Sequence, residues 1–158
     1  MITHDLQPYV STADASPVQF LGLPTVVRAT AQTTNGAFGL VEHLTMRPGF
    51  AAPYHTHRLE DEALYVIEGT MAVVCDGKWM LAGPGSFVFL PRKVAHGFKV
   101  HGDTPSRVLL LITPGGFEQF VVDMSQPGHA QIGELAAKYQ VEIHGPLPEQ
   151  PASLTTQN

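Results

Sequence analysis

The chain has 158 residues, enough for one domain with a sizeable core, and its 44% hydrophobic content argues against wholesale disorder. Nine Lys+Arg against fourteen Asp+Glu give a net charge of -5 with no basic run, which disfavours nucleic acid and anionic membrane as partners. The single cysteine, Cys75, has no internal disulfide partner, and no signal-like or membrane-spanning apolar segment is visible, so a cytoplasmic protein is expected.

Residues 1–19 are polar and irregular and read as an N-terminal arm. From Phe20 to Thr34 the β-branched residues Thr25, Val26, Val27 and Thr30 favour one or two strands. Asn35-Gly36 signals a tight turn, and Gly39 to Met46 reads as the next strand, closed by Arg47-Pro48-Gly49. A histidine strand is expected over 51–57 and another strand over 62–68. Gly69 then turns the chain into Met71–Cys75, and Asp76-Gly77 leads into Lys78–Leu81. Further strands are predicted over 86–90, 94–99 and 106–113, separated by Gly/Pro turns. This train of short strands indicates an all-β antiparallel sandwich or barrel over 20–124.

After Pro114 the pattern changes. Residues 116–123 can form a short helix with Phe117, Phe120 and Val121 on one side, and 131–139 form a better one. Residues 141–143 read as extended. The tail from Gly145, rich in proline, is expected to be flexible or laid on the surface, and 125–158 is taken as a C-terminal helix plus tail. Met46, Tyr54, Tyr65, Met71, Phe87, Phe89, Phe98, Phe117 and Phe120 are expected to be mostly core. Both faces of several strands are apolar, which suggests sheets covered on both sides.

The chemistry concentrates between Gly49 and Gly69. His55 and His57, at spacing i, i+2, share one face of a strand. Glu62 opens the following strand, so two imidazoles and a carboxylate can converge on a divalent transition metal. A His-x-His pair alone is close to an even-odds coincidence. Gly, His, His, Glu and Gly at fixed spacing falls well below roughly one in a thousand. A second cluster, Gly85, Pro91 and His96, supplies a fourth ligand, His96, aimed inward by its turns. Three imidazoles and one carboxylate leave open positions on a five- or six-coordinate ion, the pattern of a catalytic site. Glu60 and Asp61 are alternative carboxylates, although Asp61 points to the opposite face once the strand has begun.

At Gly49-x5-His55-x-His57-x4-Glu62-x6-Gly69 and Gly85-x5-Pro91-x4-His96 the chain resembles the cupin superfamily, the first motif in full and the second in most positions. It is most similar to small single-domain cupins of quercetin 2,3-dioxygenase-like type. Phe20–Thr25, Gly36–His43, Glu60–Gly69, Thr113–Glu118 and Glu134–Pro146 carry that likeness. The resemblance implies an all-β double-stranded β-helix, or jelly-roll barrel, with short C-terminal helices. It implies His55, His57, Glu62 and His96 as metal ligands for one divalent ion: Fe, Ni, Mn, Co, Cu or Zn.

It implies further that Glu62 accepts a proton from a flavonol hydroxyl, with dioxygen as co-substrate, and that the protein is a homodimer. The expected function is thus a mononuclear metal-dependent dioxygenase acting on a flavonol-like or enolisable aromatic small molecule. The alternatives are a non-redox cupin isomerase or lyase, or a cupin that binds a small molecule without turnover. A phosphorylated substrate would call for cations at the pocket, and the candidates are Arg47, Arg58, Arg92 and Lys93. Two positions depart from the family pattern: Lys93 stands where the second motif has Gly, and Val100 where it has Asn. Lys93 there alters the turn or puts a cation near the barrel mouth. Of the other histidines, His43 is expected to be a packed or hydrogen-bonded strand residue or to support the ligands, and His4, His101, His129 and His144 to be solvated.

Overall fold

The computed structural model describes residues 6–154. Residues 6–17 have no regular structure, yet they are tied down: Tyr9 donates to the Arg28 carbonyl at 2.8 Å, and Arg28 Nη1 donates to the Thr12 carbonyl at 2.6 Å. Strands β1 (Val18–Phe20), β2 (Leu23–Ala29), β3 (Gly39–Met46), β4 (Tyr54–His57), β5 (Asp61–Glu68) and β6 (Met71–Cys75) follow. Then come β7 (Lys78–Ala82), β8 (Phe87–Leu90), β9 (His96–Val100) and β10 (Ser106–Thr113). Two short helices, α1 (Glu118–Met124) and α2 (Ile132–Lys138), precede a last strand, β11 (Val141–Gly145).

The strands form two antiparallel sheets, ordered β1-β2-β3-β10-β5-β8 and β11-β4-β9-β6-β7. Turn chemistry fixes the registers. Asp76 (φ 50°) and Gly77 (φ 72°) both adopt positive φ, as a two-residue hairpin turn requires, and Cys75 pairs directly with Lys78. Gly69 sits at φ 76° with the Pro105 carbonyl only 2.5 Å from where a Cβ would be, so no other residue fits.

Between the sheets, Met46, Leu64, Val66, Met71, Val73, Leu90, Val108 and Ile112 are almost fully buried and form the main core. The outer face of the second sheet is covered too. Ala72, Val74 and Trp79 pack against Leu147 and Leu154 of the tail, and the Trp79 indole donates to the Glu149 carbonyl at 3.1 Å. The apolar second face of β6 is thus matched by the C-terminal segment itself.

Three expectations need correction. The histidine strand begins at Tyr54, because Pro53 lacks a ladder donor and leaves only an isolated bridge, Ala51 to Lys99, before it. Tyr65, Phe87 and Phe89 are exposed on the outer face of β5 and the edge strand β8. The extended piece after α2 runs to Gly145 and pairs with β4, which places the C-terminal segment directly behind the histidine strand. Among the described residues no helix is long and apolar enough to cross a membrane.

Candidate metal centre

Strand alternation turns His55 and His57 inward from β4, both buried, while Thr56 between them faces out to His144. Glu62 enters from β5 and His96 from β9, both essentially inaccessible to solvent. One ligand atom from each of the four lies within 4.8 Å of the others. His55 Nε2 is 3.2 Å from His57 Nε2, and His96 Nε2 is 3.1 Å from a Glu62 carboxylate oxygen. The four side chains singled out in the sequence therefore meet in one place.

The outward nitrogens explain this orientation. His55 Nδ1 donates to the Pro53 carbonyl at 2.6 Å, and His96 Nδ1 donates to the Val94 carbonyl at 3.1 Å. His57 Nδ1 faces Glu60 Oε2 at 3.5 Å, and both atoms are buried without another partner. With the Nδ1 atoms of His55 and His96 turned to carbonyls, three Nε2 atoms and a carboxylate converge, with a proton on His96 Nε2 bonding Glu62 and none left to place between His55 and His57. A divalent transition ion would take the place of that shared proton and relieve the facing His55 and His57 lone pairs, so the donors fit it. Glu60 does not join the cluster as a ligand. Its sequence position beside Glu62 concealed a different role, as the acceptor facing His57.

Asp61 lies outside the cluster, as expected. Its carboxylate takes the Arg92 guanidinium at 2.9 and 3.1 Å and the Arg92 backbone N–H at 2.8 Å. Lys93, at the position where glycine was expected, takes the left-handed conformation with φ 66°, and its N–H donates to the His57 carbonyl at 2.7 Å. Its side chain borders a surface notch with Thr56, Arg58 and Glu142.

Burial, reinforced by His96, pushes the His55 imidazole down to about 4. Burial alone would raise Glu62; its hydrogen bond with His96 and the neighbouring imidazoles override that and bring its carboxyl down to about 2. Glu62 is therefore an anion at every pH near neutrality.

Beside the cluster lies a cavity of about 80 Å³, lined by β3, β10 and β9 and by α1 and α2. Only three of its lining side chains are polar, His43, His55 and Glu62, whereas Phe50, Phe98, Phe117 and Phe120 give it an aromatic wall. The Phe117 ring stands edge-on to His57 at 4.4 Å. None of Arg47, Arg58, Arg92 and Lys93 lines it. His43, expected to be packed or hydrogen-bonded in its strand, is both, and it also reaches the cavity. His129 and His144 are exposed and His101 half-buried, while His4 lies outside the described residues.

Comparison with known proteins agrees with this architecture. Residues 42–112 match the cupin domain family, a stretch holding all four converging side chains. The chain carries a cupin domain. An RmlC-like cupin from Shewanella frigidimarina superposes on 73% of this chain and 97% of its own, with a TM-score of 0.61 at 23% identity, which supports the jelly-roll fold. The chain is also 26% identical to the tetracenomycin polyketide synthase protein TcmJ of Streptomyces glaucescens, over 66% of the chain and 70% of the relative. It is 31% identical to the quercetin 2,3-dioxygenase of Bacillus subtilis, over 48% of the chain and 23% of that larger protein.

Proposed function

We propose that this cupin is a mononuclear metal-dependent enzyme for an enolisable aromatic small molecule, with dioxygenation of quercetin type as its reaction. One observation carries this: His55 and the ionised Glu62 of the four-donor cluster line a cavity whose only other polar side chain is His43 and which is free of Lys and Arg. Such walls suit a flat, uncharged ring system and offer nothing to a phosphate. The relatives named for a polyketide synthase and for quercetin dioxygenation support the same substrate class.

His55, His57, Glu62 and His96 would hold the ion. A bound divalent ion would supply Lewis acidity, lowering the pKa of an enol or phenol oxygen brought to it. Glu62, an anion lining the cavity, would be the base placed to take the proton from that hydroxyl. The Glu60 carboxylate faces His57 Nδ1 at 3.5 Å, and the aromatic wall would exclude water from the deprotonated substrate. At about 80 Å³ the cavity takes a few waters, so a flavonol needs it to widen. The short helices α1 and α2, with Phe117, form one wall and are the elements we propose to move.

A non-redox reaction on the same substrate class is the second reading, favoured by the likeness to the polyketide synthase protein, which spans more of both chains. Dioxygen uptake separates the two. Protein loaded in turn with Fe(II), Ni(II), Mn(II) and Co(II) is given quercetin, and metal-dependent uptake that vanishes in Glu62→Ala supports the dioxygenase. Full metal occupancy without uptake, together with metal-dependent exchange of an enolisable C–H in deuterium oxide, selects the non-redox reaction.

A further inference from the structure

The cavity has a second polar end. His43 on β3 is 2% exposed, stacks on Phe20 at 5.8 Å and lines the cavity with Glu62. In the sheet it lies well away from the metal cluster. His43 pairs with Val108, and Val108 with Val66; Glu62 stands four residues back along β5 from Val66. Its Nδ1 is 2.8 Å from Thr25 Oγ1, and Thr25 Oγ1 donates to the Leu23 carbonyl at 3.1 Å. A carbonyl only accepts, so the one Thr25 hydroxyl proton is committed to Leu23. The Thr25 oxygen then accepts from His43, and the Nδ1 proton is held there. The opposite nitrogen, Nε2, is left with a lone pair and no partner among the described residues, on a ring that borders the cavity. Burial, despite the opposing charge of Glu62, pushes the His43 imidazole down to about 4, so the ring is neutral in ordinary buffers.

This acceptor borders a cavity with room for a few waters, and the cavity walls themselves offer it no donor, so a ligand hydroxyl that takes the place of water there makes the missing hydrogen bond. We infer that His43 is a substrate-positioning residue: its Nε2 accepts a hydrogen bond from a hydroxyl on the end of the ring system remote from the metal cluster. The substrate class narrows accordingly, to polyphenols with one oxygen edge at the metal and a hydroxyl at the far end. This rests on the aromatic-substrate reading above. Thr25 belongs to the same device, because it fixes which nitrogen keeps the proton.

The test uses two probes that share the 3-hydroxy-4-keto edge, quercetin and 3-hydroxyflavone, of which only quercetin has distal hydroxyls. Dissociation constants are measured by ligand fluorescence on metal-loaded protein. The wild type should prefer quercetin by about tenfold, the worth of one well-made buried hydrogen bond. His43→Phe keeps the stack on Phe20 and should erase that preference, read as the ratio of the two dissociation constants. Thr25→Val keeps the imidazole but frees its tautomer, and should reduce the preference several-fold even if the phenylalanine variant folds poorly. Long-range proton–nitrogen spectra of the histidines should show a bare Nε2 on His43 in free protein and an upfield shift of that nitrogen with quercetin alone.

An undiminished preference for quercetin in both variants overturns the assignment of His43 while leaving the aromatic substrate class standing. A free-protein spectrum with the proton on Nε2 also overturns it. If neither flavone binds fully metallated wild-type protein, the substrate class itself falls and the role of His43 with it.

Discussion

His55 and His96 face each other directly across the β4–β9 ladder, their ring centroids 4.6 Å apart. Two of the four candidate ligands are therefore set by backbone register, and His57 follows from the period of the same strand. A site built this way tolerates little: removing one imidazole leaves the backbone in place and the donor set incomplete. His57→Ala and His96→Ala should each lose nearly all bound metal, measured by elemental analysis after dialysis against a weak chelator. Glu62→Ala should lose it as well. Asp61→Ala should not, because its carboxylate is held by Arg92 on the outside. Full occupancy in both histidine variants would show that the ion, if any, sits elsewhere.

Glu60 should matter almost as much as a ligand without touching the ion. Its Oε2 is the only acceptor offered to His57 Nδ1 among the described residues, and at 3.5 Å the contact has room to tighten when the ring is pulled toward a metal. Glu60→Gln should weaken metal affinity by about 10–100-fold, and chelator competition reads this directly. Unchanged affinity would mean that packing against Phe117 alone orients the ring.

The strands could be read from the sequence because Gly and Pro punctuate them and because hairpin dipeptides such as Asp76-Gly77 impose their own backbone geometry. His55, His57, Glu62 and His96 could be picked out because they occur at fixed spacing on elements of known period. The same cues made Glu60 only an alternative ligand and His43 only a packed or hydrogen-bonded strand residue or a support for the ligands. Glu60 precedes β5 in a turn, where no period assigns a face. His43 sits in a strand whose neighbours Glu42 and Val41 are also buried, so alternation of polarity is lost. Glu42 is buried for a separate reason: it joins Arg28 and Arg107 on the outer side of the sheet, at 2.9 and 2.7 Å. Pro53 truncated the histidine strand through a missing N–H, a local effect that the apolar run around it masked.

That outer cluster makes its own prediction. Glu42 is about 5% exposed and is held below the usual carboxylate range: burial pushes it up, but the two arginines outweigh that. Glu42→Leu removes the anion and leaves two cations facing each other with no acceptor between them. Stability should drop by about 2–4 kcal/mol, read from urea unfolding with the slope unchanged. A loss under about 0.5 kcal/mol would mean that the guanidinium groups find water instead.

Lys93 carries a strained backbone in the turn that holds the His57 carbonyl. A side chain at φ 66° costs about 1 kcal/mol relative to glycine, and the Lys93 ammonium makes no ion pair among the described residues to offset it. Lys93→Gly should therefore raise the melting temperature by about 2–4 °C without changing metal content. A lower melting temperature would show that the lysine stem contributes packing in the notch beside Arg58 and Glu142.

The last prediction concerns the cap. Asp123 on α1 accepts from the Tyr139 hydroxyl at 2.5 Å and from Lys138 at 3.0 Å, and its other oxygen accepts from Gln119 at 3.0 Å. These bonds clasp the end of α2 to α1 over the cavity, above a small cluster that includes Phe120, Met124 and Leu135. The Tyr139 hydrogen bond, then those of Gln119 and Lys138, bring the Asp123 carboxyl down from 3.8 to about 2. A group depressed on folding contributes fully above its unfolded pKa and loses that contribution as pH falls toward the folded value. The clasp should thus be intact above about pH 4 and fail between about pH 4 and pH 2. Because Asp123 is partly open to solvent, screening leaves it on the order of 1 kcal/mol. Asp123→Asn should remove this part of the acid dependence of unfolding. At pH 7 it should also speed hydrogen exchange in α1 and α2 while the β10 amides stay protected, since a looser cap opens locally. If the cap is the route to the site, the same variant should raise the association rate for 3-hydroxyflavone. Faster exchange with an unchanged association rate would place the entrance elsewhere on the barrel.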